Sequence, residues 1–123
     1  MRFARAAGTV FLIALAIALA CRPMAVESPG RRLLADRADP DPEIERACEL
    51  TGQRCTRCHD IDRVLNARIN HPTHWERIIE RMRMMNGSGI SRADSPVILR
   101  CLAFWSFGRP GVDALDAPTP PSP

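Results

Sequence analysis

The chain has 123 residues, 46% of them hydrophobic and 25% charged, with a formal net charge of +3. That length allows one small domain with tails and leaves little room for two. Without residues 1–20 the balance is 15 Arg against 14 Asp plus Glu, so no polybasic face of the kind that grips nucleic acid is implied.

In chain order, Arg2 and Arg5 precede an unbroken apolar run from Val10 to Ala20, and Ala18-Leu19-Ala20 makes a small-x-small site before Cys21. This pattern is that of a secretory signal peptide over residues 1–20. The run has eleven residues, well short of the roughly 20 that span a bilayer. Export to a periplasm is therefore expected. Cys21 stands where a bacterial lipoprotein carries its lipid, although Leu19 is one place nearer the cysteine than the usual signal has it. Membrane attachment is expected only through such an anchor. Residues 21–40, rich in Pro, Arg, Asp and Ala without a sustained period, read as a disordered tether.

Helical periodicity begins at Asp41, which can cap a helix with Pro42 at its first position and Glu43 and Glu45 in its first turn. Ile44, Ala47, Cys48 and Thr51 share one face of it. Past the segment 55–59, Ile61, Val64 and Leu65 suggest one short turn of helix, and Asn66, Asn70, His71 and Pro72 a loop. Thr73 can cap a third helix, on which Trp75, Ile78, Ile79, Met82 and Met85 form an apolar stripe. Asn86-Gly87-Ser88-Gly89 ends it. The last helix starts near Ser91, with Asp94 three residues on, or at Ser95 with Pro96, and runs to about Phe107. No strand pattern is found. Residues 109–123 hold five prolines and no core-forming pattern, which predicts a disordered tail. The expected domain is thus all-α, over residues 41–108. A unit that short rarely buries enough apolar surface to offset its conformational entropy without an internal staple.

Cys55-Thr56-Arg57-Cys58-His59 has the Cys-x-x-Cys-His spacing of covalent haem attachment. Two thiols three residues apart on a turn reach the two vinyl groups on one edge of a porphyrin, and the adjacent histidine lies under the iron. A zinc site needs about four ligands, and no second Cys-x-x-Cys or His-x3-His is present. A redox disulfide of the thioredoxin kind needs a βαβ setting. The expectation is one haem c, bound through Cys55 and Cys58, with His59 as an iron ligand. A sixth ligand is open at this point among Met82, Met85, His71 and His74, with Met84 the poorest because it points away, and an unligated position also to be considered. Methionine sulfur favours reduced iron and raises the potential, and a second histidine lowers it. No acid, base or substrate pocket is evident, so the chain reads as an electron carrier and not an enzyme. The alternative is a ligand-binding or sensing haem, or a small peroxidase, with a weak or open sixth position.

The order of first helix, Cys55 to His59, Trp75 to Met82, glycine loop and apolar last helix resembles the small class I cytochromes c. His74-Trp75-Glu76-Arg77-Ile78-Ile79-Glu80-Arg81-Met82 looks like the Trp-x-x-x-Val-x-x-Met segment of single-haem subunits that serve periplasmic dehydrogenases and photosynthetic reaction centres. The resemblance covers about residues 43–106. It implies three to four helices wrapped around the haem, with first and last helices crossing, Met82 as iron ligand, and redox proteins as electron donor and acceptor, among them a dehydrogenase partner. Where that family often has an aromatic residue in the last helix, this chain has Cys101. Cys48 lies on the apolar face of the first helix, so a Cys48–Cys101 disulfide is expected in an oxidising compartment.

Overall fold

The structure, a computed structural model, describes residues 26–118. The expected export signal, Cys21 and residues 119–123 lie outside them. Among the described residues there are six helices and no strand: α1 Pro29–Arg32, α2 Pro42–Cys55, α3 Asp62–Leu65, α4 Pro72–Arg83, α5 Asp94–Phe107 and α6 Arg109–Asp116. The fold is all-α.

The long helix α2 begins as its sequence dictates. Asp41 is extended and its carboxylate accepts from the Ile44 amide at 2.8 Å, with Pro42 in the first turn. Arg109 also reaches that carboxylate, and the two donors hold the Asp41 carboxyl below its usual value, the Ile44 amide contributing most. Its inward face, Ile44, Ala47, Cys48 and Thr51, is buried, and the Thr51 hydroxyl is satisfied by the Ala47 carbonyl at 2.7 Å.

That face packs on α5, which buries Ile98, Cys101, Leu102, Ala103 and Phe104. Cys48 and Cys101 meet at the crossing and are joined as a disulfide with Cα atoms 4.9 Å apart. Ahead of α5, Ser91 and Asp94 cap reciprocally: the Ser91 amide donates to Asp94 Oδ2 at 2.8 Å and the Asp94 amide to Ser91 Oγ at 3.0 Å. The Ser91 amide, with Arg54, holds the Asp94 carboxyl below its ordinary value. The cap of helix α4 falls at His71, two residues ahead of the expected Thr73. The His71 ring accepts from the Thr73 amide, and Pro72 takes the first helical position, for which its fixed φ suits it.

The packed unit is longer at both ends than residues 41–108. Residues 29–34 do not form a tether. Ser28 caps α1, Leu33 is 1% exposed, and Gly30 lies so close to α2 that a Cβ on Gly52 would sit 2.4 Å from the Gly30 nitrogen. Residues 109–116 are not a disordered tail either. Gly108, at φ +66°, ends α5 and reverses the chain, Pro110 falls in the first turn of α6, and Val112 enters the core at 1% exposure. Arg100 on α5 grips Asp116 with two hydrogen bonds. In both segments a single buried aliphatic side chain does the anchoring. A one-residue signal has no periodicity, so pattern reading misses it.

Candidate functional site

Helix α2 ends at Cys55, and a turn carries the chain through Cys58 and His59 into α3. Cys55 is buried and Cys58 exposed, and both are free thiols. Burial pushes the Cys55 thiol up to about 11, so it is protonated at neutral pH. The attacking thiol of a redox-active pair requires the opposite shift, towards thiolate, so Cys55 is not suited to that part.

The His59 ring is oriented by its own neighbour. Its Nδ1 lies 3.0 Å from the Asp60 carbonyl oxygen. A carbonyl has no proton to give, so Nδ1–H donates and Nε2 keeps its lone pair, the tautomer a metal-ligating imidazole needs.

Helix α4 supplies the facing wall. Trp75 is 2% exposed, donates its indole N–H to Ser106 Oγ at 2.8 Å, and meets Trp105 edge to face with ring centroids 6.2 Å apart. These contacts fix the rotation of α4 against α5. One turn and two turns further on, Ile78 and Met82 then face the same hollow as Trp75.

That hollow is a cavity of about 420 Å³ with mainly apolar walls, within the roughly 300–1,000 Å³ usual for bound organic groups. Cys55, Cys58, His59 and Met82 all line it, brought together from α2, the turn after it and α4. Val64, Ala67 and Ile90 complete the apolar wall, and Arg54 and Arg63 bring the positive charge. Arg54 is held there by Asp94 at 3.1 Å.

The other candidates separate clearly. Met85 reaches the cavity but is 62% exposed; Met84 is 69% exposed and does not line it. His71 and His74 are not part of its wall, and His71 is occupied as the cap of α4. Arg54, Arg63, Ala67 and Ile90 are the lining residues that sequence reading missed. Two arginines among many carry no positional signal, and Ile90 sits in a loop. Among the described residues, no three His, Cys, Asp or Glu side chains are grouped to hold a bare metal ion, and no helix is long and apolar enough to cross a membrane.

The chain matches no family model, no curated protein and no solved structure.

Proposed function

We propose that this chain is an exported electron-transfer protein of the class I cytochrome c kind, carrying one covalent haem c attached through Cys55 and Cys58 and ligated by His59 and Met82. The observation that carries the reading is the convergence of two free thiols, an imidazole with its Nε2 lone pair available and a thioether on one apolar cavity. The donor set suits the group. Thiols spaced as Cys55 and Cys58 are can add across porphyrin vinyls, and imidazole with thioether is a recognised axial pair for haem iron. Arg54 and Arg63 offer positive charge to the porphyrin carboxylates.

When bound, the haem supplies a one-electron iron couple. The protein's part is to hold and shield it. Val64, Ala67, Ile78 and Ile90 keep water from the site, which favours the less charged reduced state, as does a thioether ligand. Trp75, locked to Ser106, keeps Met82 on the cavity side of α4. Electrons then pass to and from other redox proteins, a donor and an acceptor, with no acid or base chemistry in this chain. The Cys48–Cys101 disulfide supports a location outside a reducing cytoplasm, consistent with a periplasmic protein, free or anchored at Cys21.

The test is to express the chain in a host that attaches haem in its periplasm. One haem per chain by pyridine haemochrome, retained through denaturation, is the expected result. The oxidised protein is then expected to show the weak far-red band of thioether-ligated ferric haem. A chain weighing no more than its amino acids, without Soret absorbance, refutes the reading. Rapid carbon monoxide binding by the reduced protein assigns it to ligand binding instead.

A further inference from the structure

The N-terminal segment reaches the turn that carries His59. Arg32, the last residue of α1, places its guanidinium against the Asp62 carboxylate and 3.8 Å from that of Asp60. Asp60 is the residue whose carbonyl oxygen receives the His59 Nδ1–H. The same carbonyl accepts from the Arg63 amide at 3.2 Å, and the Asp60 carboxylate accepts from the Asp62 amide at 2.9 Å. The turn is therefore closed on itself at both ends, with Arg32 bridging its two carboxylates.

Arg32 is well enough anchored to act on that turn. The neighbouring Leu33 is in the core, Ser28 Oγ donates to Glu49 Oε2 on α2 at 2.7 Å, and Gly30 abuts Gly52. A guanidinium on a fixed helix orders its partners at less entropic cost than one on a mobile chain.

We infer that Arg32 is a positioning residue for His59: by clasping Asp60 and Asp62 it fixes the carbonyl that orients the imidazole, so that α1 sets the ring's orientation. This rests on the haem reading only for what the ring then faces.

The test compares Arg32→Ala, Arg32→Lys and Asp62→Asn, with Arg31→Ala removing an equal charge from the adjacent exposed residue. In the reduced haem protein, solvent exchange of the His59 Nδ1 proton is followed by NMR, together with the reduction potential. Arg32→Ala and Asp62→Asn both quicken the exchange, by roughly fivefold for a lost ion pair of this exposure, and shift the potential in the same direction. Arg32→Lys keeps most of the protection, and Arg31→Ala leaves exchange unchanged.

If Arg32 acts only as a charge at a distance, the two substitutions move the potential in opposite directions and leave exchange as it was; that result overturns the inference. Far-UV circular dichroism checks each fold, and none of the three substituted residues lies in the core. Should the unsubstituted protein lack haem, the cofactor reading fails. The clasp is then read from the ring nitrogen shifts of the haem-free chain: loss of the Nδ1–H tautomer in both variants upholds it, and an unchanged tautomer refutes it.

Discussion

Opening the Cys48–Cys101 disulfide is expected to remove a large fraction of this protein's stability. The two cysteines are 53 positions apart and both are 0% exposed. Cross-linking a loop of that length costs the unfolded chain about 4 kcal/mol of entropy on the loop-closure account. Small domains have only about 5–15 kcal/mol in total, so the reduced form stands near the edge of folding. The comparison needs no mutation. Protein reduced while unfolded and kept in reductant is titrated with urea beside the oxidised form, with helix content followed by circular dichroism. For a slope of about 1.3 kcal/mol per molar, the midpoint should fall by about 3 M. Because the sulfurs are out of reach of solvent, reductant added to the folded protein should act only as fast as the protein opens. Midpoints agreeing within about 0.5 M, or a difference lying wholly in the slope, would refute the reasoning, since the bridge would then act on the compactness of the unfolded chain and not on its entropy.

Gly52→Ala should cost about 1–3 kcal/mol in the same titration, because the new Cβ meets the backbone of Gly30 and neither helix can yield; wild-type stability would show that α1 packs elsewhere. In the haem-free chain, the raised Cys55 thiol gives a definite pH dependence. The unfolded thiol ionises near its ordinary value and the folded one at about 11, so the stability is intact below about pH 8.5 and is lost as pH rises through 11, by up to about 3 kcal/mol. Cys55→Ala should flatten that loss, and an unchanged alkaline slope would disprove the assignment. If Met82 is the sixth ligand, Met82→Ala should abolish the far-red ferric band and admit carbon monoxide, whereas Met85→Ala, altering a side chain mostly in solvent, should do neither. The reverse pattern would move the ligand to Met85.

Much of the layout was legible along the chain because it is locally encoded. Asp41 with Pro42, Ser91 with Asp94, and the stripe Trp75, Ile78, Ile79, Met82 each signal structure within a few residues, through capping and through a period that matches one face of a helix. The candidate site was legible for a related reason: Cys55, Cys58 and His59 are neighbours in sequence, and Met82 follows from Trp75 by two helical turns. The local reading erred where it counted residues 29–34 as tether and 109–116 as tail.

Leu33 and Val112 are one buried side chain each, in segments whose composition otherwise points to disorder, and only the surfaces they dock against make them core. The meeting of Cys48 with Cys101, the placing of Arg54 and Arg63 at the cavity, and the reach of Arg32 to the turn after His59 likewise join residues distant in sequence. Caps, helix faces and the turn that carries Cys55, Cys58 and His59 depend on contacts a few positions apart, which the order of amino acids states directly. Which helices cross, which single side chains are buried between them and which arginine meets which carboxylate depend on contacts tens of positions apart, and these exist only once the chain has packed.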